Sequence, residues 1–167
     1  ETANYCQRIH NDYSLKILLT LLDDESLIVR QEAIKALVTW GKDVTKGALA
    51  IFPTSTKETR LCIMQLLGKV LGLEVIKFFN EFFGSMTQDN KYLLLTALGE
   101  VRDPKVIPEL LPFLKDESIF IADYTKNILI KLGVHAVDPL LACLDSEDEN
   151  LTIQVLQVLG AIGSKEA

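Results

Sequence analysis

Only three cysteines and two histidines occur in the 167 residues. Cys6, Cys62 and Cys143 are far apart, no pair has zinc-like spacing, and His10 and His135 are isolated from them. This excludes a zinc finger and leaves no disulfide framework. Reduced, structural thiols in a cytoplasmic protein are the expectation. Cys143 lies among Leu140, Leu141 and Leu144, where a core accepts a small apolar thiol. No apolar run approaches the roughly 18–20 residues that cross a bilayer, so no membrane span is expected. The opening residues Glu1 to Arg8 lack the basic-then-apolar layout of a signal peptide. With no initiator Met, the chain is expected to be processed or excised from something longer.

Positive charge is also short. The net charge is −6, which argues against nucleic acid, whose phosphates demand Lys and Arg. The imbalance is local. Lys42, Lys46, Lys57, Arg60, Lys69 and Lys77 outnumber Asp43, Glu58 and Glu74, whereas beyond residue 137 a run of acids faces only Lys165. Solvated loops and helix faces account for this pattern; ends that prefer differently charged surfaces are the sharper reading.

Catalytic groupings are missing as well. Gly68, Gly72 and Gly99 precede no Gly-Lys-Ser or Gly-Lys-Thr and follow no strand pattern, so no phosphate loop is spelled. Ser, His and Asp form no nucleophile elbow. Asp23-Asp24 and Asp145 with Glu147 and Asp148 fall short of the ordered six-to-eight-oxygen loop that calcium wants, and helix capping explains them. Neither catalytic residues, nor a metal, nor a cofactor is expected.

What is present is a period. Asp24-Glu25-Ser26, Val29 and Gly41 return as Asp116-Glu117-Ser118, Ile121 and Gly133, three steps of about 30–31 residues later. Gly72 falls one step after Gly41 and Gly163 one step beyond Gly133, and at Arg102 the glycine gives way to Asp103-Pro104, an equally good helix breaker. In register, Trp40, Leu71, Val101, Leu132 and Ile162 form one column. Ala33, Met64, Leu94, Thr125 and Val155 form a second, and Ala36, Leu67, Ala97, Ile128 and Val158 a third. Within a unit these stand at i, i+3 and i+7, one stripe of an α-helix. Upstream, a first helix contributes Leu18, Leu49, Phe79, Leu110 and Leu140, and four residues on Leu22, Pro53, Phe83, Leu114 and Leu144. Pro53 should shorten or bend its helix. Polar stretches rich in Ser, Thr and Asp separate the two helices and cap the second.

The spacing therefore predicts an all-α chain, a right-handed α-solenoid of about five two-helix repeats. Residues 1–12 form an N-terminal cap or the end of a preceding repeat; 13–43, 44–74, 75–105, 106–136 and 137–167 are the repeats. Such short pairs cannot bury both apolar faces alone and must stack. The last residues stop where another first helix would begin, so a piece of a longer solenoid is expected.

These columns resemble the HEAT repeat, most closely the short phycobilisome-lyase-like form. The first unit carries the pattern best, in Leu18-Leu19, Leu22, Asp24, Val29-Arg30, Ala33, Ala36-Leu37 and Gly41, and the later units repeat its proline-leucine opening at Pro108 to Leu111 and Pro139 to Leu141. The Val-Arg pair survives only at Val29-Arg30, so the Asp-to-Arg ladder that the resemblance implies should be mostly lost. The resemblance also implies that the second helices line a concave surface. The residues opposite the buried stripe include Gln31, Lys35, Cys62, Leu66, Lys69, Tyr92, Thr96, Asp123, Asn127, Ile153 and Gln157. Of these, Gln31, Lys35, Tyr92, Thr96, Asp123, Asn127 and Gln157 are the candidate partner-binding set, with Tyr92 as anchor. Amides, Lys and an aromatic suit a protein groove. Phe78 and Phe82, beside the core residues Phe79 and Phe83, are read as a wide apolar stripe or a partner patch.

The resulting expectation is a non-catalytic protein-interaction or scaffold module whose partner is a protein or an adjacent domain of the same chain. A bilin lyase or isomerase is the alternative that the resemblance implies. A HEAT-like DNA glycosylase is a further one, disfavoured by the acidic charge.

Overall fold

The computed structural model describes residues 11–83, 86–101, 103–144 and 148–166. The first ten residues with Cys6 and His10, residues 84–85, Arg102, 145–147 and 167, and the side chains at 82, 83 and 164–166 lie outside the described set, and with them the column position at Phe83 and the patch position at Phe82.

The described chain is all-helical, with no strand among its residues. Ten helices follow in order: α1 Asp12–Thr20, α2 Leu27–Val38, α3 Val44–Ile51, α4 Lys57–Leu71, α5 Glu74–Phe83, α6 Gln88–Leu98, α7 Ile107–Leu110, α8 Ile119–Leu132, α9 Val137–Ala142 and α10 Glu149–Glu166. Odd helices are the predicted first helices and even ones the second. Tight 3-10 turns end or begin several first helices, at Leu21–Asp23, Phe52–Thr54, Pro104–Val106, Leu111–Lys115 and Gly133–Ala136.

Local chemistry sets the boundaries. The side chains of Asn11, Thr56, Thr87 and Asp148 accept from the backbone N–H three residues on, at 2.8, 3.2, 3.3 and 3.0 Å. Each satisfies a donor that the first turn leaves free. Before α2 and α8, Asp24 and Asp116 accept from the N–H groups of Ser26 and Ser118 at 2.8 and 3.0 Å. Helices α4 and α8 stop at Gly72 and Gly133, with φ of +57° and +59°, and Gly41 behind α2 has φ +58°. That left-handed conformation ends a helix at little cost only for glycine. Gly163 behaves differently: α10 runs through it to Glu166.

The two inner columns of the second helices are buried throughout: Ala33, Met64, Leu94, Thr125 and Val155, then Ala36, Leu67, Ala97, Ile128 and Val158. The outer column is mixed, with Val101 and Ile162 buried and Trp40, Leu71 and Leu132 half-buried. In the first helices Leu18, Phe79, Leu110 and Leu140 are buried as expected. The second unit slips by one residue. Ala48 and Phe52 are buried there, Leu49 is half-buried and Pro53 is exposed. Pro53 sits in the first turn of the 3-10 segment Phe52–Thr54, where its missing N–H costs nothing, and this turn directs Phe52 inward.

Packing is between neighbours. α2 lies on α4, α4 on α6, α6 on α8 and α8 on α10, while each first helix or its 3-10 turn packs on the second helix of its own unit. The tightest joint is α4 with α6: a Cβ built on Gly68 would stand 2.1 Å from the Ala97 carbonyl oxygen, a position only glycine can hold.

Candidate functional site

Along the joints runs a series of lysine–carboxylate ties. Lys42 reaches Glu74 at 2.6 Å, Lys57 reaches Asp89 at 3.6 Å, and Lys115 reaches Asp148 at 2.7 Å. Lys69 pairs with Glu100 and Lys91 with Asp116. In every case the cation comes from the earlier unit and the acid from the later one. Arg30 does not join them; its Nη1 donates to the carbonyls of Asp24 and Glu25 at 2.6 and 3.2 Å. Arg60 likewise donates to the carbonyls of Phe52 and Pro53 at 3.2 and 2.8 Å. Lysines thus link the units, whereas Arg30 and Arg60 bind carbonyls of their own units. The ties of Lys42 and Lys57 are exposed on both partners and, screened by water and salt, contribute little. Asp116 is the exception, its side chain only 6% exposed. Burial pushes its carboxyl up, but the Lys91 ammonium, the Ser118 N–H and Gln88 outweigh this and hold it below the ordinary value. Lys115 and the Leu151 N–H hold Asp148 down in the same way.

Between these ties lies an aromatic cluster. The Tyr92 ring, near the start of α6, stands 5.2 Å from Phe120 and 5.0 Å from Tyr124, both on α8. Phe120 and Tyr124 lie one helical turn apart with rings nearly parallel, at 6.3 Å. Phe120 is 60% exposed and its neighbour Ile119 is 78% exposed. Burial raises the Tyr124 phenol above its usual value, with Glu100 and Tyr92 adding to the effect and Thr96 opposing it. Two shallow grooves meet at Tyr92. One, of about 340 Å³, is lined by Lys57, Arg60 and Leu61 on one side and by Asp89, Asn90 and Tyr92 on the other. The second, of about 420 Å³, continues past Tyr92 to Ser118, Phe120 and Ile121. Apolar bodies with polar tips, rimmed by mixed charge, are the composition of a protein-binding surface.

The candidate residues taken from the sequence distribute unevenly around this cluster. Tyr92 is half-buried at its centre. Gln31 is half-buried and donates to Gln65 at 3.4 Å. Lys35 is exposed and pairs with Glu32 at 2.6 Å. Asp123, Asn127 and Gln157 are exposed. Lys126 bridges Asp123 and Gln157 at 3.1 and 3.0 Å, tying α8 to α10. Thr96 does not project to a surface: it is 4% exposed and its hydroxyl donates to the Tyr92 carbonyl at 2.8 Å. Cys62 and Leu66 are buried too. The reason is that α6 is flanked by α4 and α8, so Leu93 to Leu98 form an unbroken buried run, and α4 is flanked in the same way by α2 and α6. Burial also raises the Cys62 thiol against the opposing pull of Arg30, which keeps it unreactive.

No family model matches the chain, and no curated protein is significantly similar to it in sequence. The site therefore stands on its geometry.

Phe120, Tyr124, Leu61 and Lys126 were missed in the sequence. The i, i+4 spacing of Phe120 and Tyr124 was the available signal, together with the adjacent Ile119. The more conspicuous Phe78 and Phe79 pack inward instead, Phe79 at 1% exposure and Phe78 half-buried against the core. No group of three or more His, Cys, Asp and Glu is placed to hold a metal among the described residues. Within the same residues no helix is long and apolar enough to cross a membrane.

Proposed function

We propose that the chain is a right-handed α-solenoid of HEAT-like helix pairs acting as a non-catalytic protein-interaction module. Its partner, a protein or an adjacent domain, docks on the second-helix surface centred on Tyr92. The solenoid reading is supported by the succession of second helices packed each on the next, and by buried columns that recur at a step of about 30 residues. The observation that carries the binding reading is the cluster of Tyr92, Phe120 and Tyr124 at the meeting of two open grooves. Rigid aromatics with one face packed and one face open are the usual anchors of an interface. The non-catalytic reading is supported by the ionisable groups themselves. The shifts at Cys62, Asp116, Tyr124 and Asp148 arise from burial or from the lysine ties.

The test is to place a photo-crosslinking amino acid at Asn127, identify the protein captured, and measure its affinity for the wild-type chain and for Tyr92→Ala. Loss of a central aromatic anchor should weaken binding by about 2 kcal/mol, roughly 30-fold. Lys35→Ala, outside the cluster, should change affinity less than threefold. Equal affinities for wild type and Tyr92→Ala refute the assignment of this surface.

A further inference from the structure

The charges around the aromatic cluster are almost all spent inside the chain. On α4, α6 and α8 every lysine and arginine has an acceptor. Lys57 ties to Asp89, Lys69 to Glu100, Lys91 to Asp116 and Lys126 to Asp123. Arg60 donates to the carbonyls of Phe52 and Pro53, and Lys131 to that of Gly99 at 3.4 Å. These ties also occupy Asp89 and Asp123, the other acids of the same helices. Glu58 is left over: it is exposed, with neither a hydrogen bond nor an ion pair among the described residues. Glu117, just ahead of α8, is exposed and unpaired in the same way. Glu58 lines the groove of about 420 Å³ together with Tyr92 and Phe120. That groove therefore sets an open carboxylate beside open aromatic surface, with no base of the three helices left to neutralise it.

The rings set the shape of the group that answers it. Phe120 and Tyr124 lie within 5° of parallel, and Tyr92 leans on them at 51° and 49°. Phe120, 60% exposed, keeps much of its ring open to the groove. A cation is attracted to such a ring face, and a planar guanidinium can stack there while its N–H groups fork onto a carboxylate. A lysine ammonium brings the charge but neither the flat face nor the fork. An acidic segment would meet Glu58 with like charge, and a wholly apolar one would bury that carboxylate without a partner. We propose that the Tyr92 surface selects an arginine of its protein partner. The guanidinium lies on Phe120 and donates to Glu58, and a neighbouring aliphatic residue of the partner rests on Leu61. This inference rests on the reading of that surface as a docking site and names the side chain it takes.

The probe is a capped pentapeptide with arginine between two leucines and alanine at each end, titrated into the whole isotope-labelled chain and followed by NMR chemical shifts. The same peptide with lysine, or with citrulline as the uncharged isostere of arginine, is the comparison. Saturable shifts at Tyr92, Phe120 and Glu58 are expected with arginine. Binding should be weaker by about threefold with lysine and about tenfold with citrulline, which lacks the cation–π contact and the charged hydrogen bond. Glu58→Gln should bring the arginine and citrulline peptides to within about threefold of each other. Phe120→Leu should weaken the arginine peptide about fivefold. Both positions are exposed, so the circular dichroism spectrum should not change. Saturable binding that Tyr92→Ala abolishes, but that treats the three peptides alike, overturns this inference and leaves the docking surface standing. No saturable binding, or shifts confined to residues away from Tyr92, overturns it as well, and the docking surface is then judged by the crosslinked partner's response to Tyr92→Ala.

Discussion

The α4–α6 joint and the exposed side of α10 reach opposite ends of the packing range. At the first, a glycine lets two backbones touch and the surrounding aliphatics are sealed. At the second, a Cβ on Gly160 would meet nothing within 4 Å, and Leu156 beside it is 53% exposed. A glycine on a second helix therefore has no fixed energetic worth; the presence of a neighbouring helix sets it.

The contrast breaks most visibly at the glycines. Gly68→Ala drives a methyl into the Ala97 carbonyl, which must separate α4 from α6 or distort both. The loss should be about 3 kcal/mol, the upper part of the range for overpacking, read as a lower urea midpoint. Gly160→Ala has free space and a helical backbone, so it should stabilise by about 0.5–1 kcal/mol. Equal effects of the two would mean that the α4–α6 approach is looser than described.

A smaller effect separates the tie at Asp116 from the exposed ones. Its folded carboxyl is held below the ordinary value of 3.8, so the stability it confers is fully present above that value. It is lost as the pH falls through the depressed folded value. Asp116→Asn should flatten the acid limb of the stability–pH curve and cost about 1–3 kcal/mol at neutral pH, since Lys91 loses its partner. Glu74→Gln, at an exposed tie to Lys42, should move stability by less than about 0.5 kcal/mol. Chemical denaturation across pH 3–7 on the three proteins checks both, that pH range spanning about the ordinary carboxylate titration.

The inner columns were legible in the sequence because each is an i, i+3, i+7 stripe and burial follows from stripe width. The boundaries were legible because Thr56, Thr87 and Asp148 are good caps and Gly41, Gly72 and Gly133 good stops. Two features were not. The slip at Ala48 and Phe52 depends on how Pro53 sits in a 3-10 turn, and Leu49 was the larger and more obvious core residue. The burial of Thr96 depends on α6 being covered on both flanks, which no single helix pattern reveals. The aromatic cluster spans two helices, so reading one face at a time found Tyr92 and passed over its companions.

The one-residue slip at Phe52 does not travel. Thr56 receives the N–H of Thr59 just as Thr87 receives that of Asn90, and the columns beyond return to phase. Each capped stretch acts as a fresh starting mark for the ruler that follows it. A lengthened or shortened first helix is thereby confined to its own unit, so such a chain is free to vary one link at a time without retuning the rest.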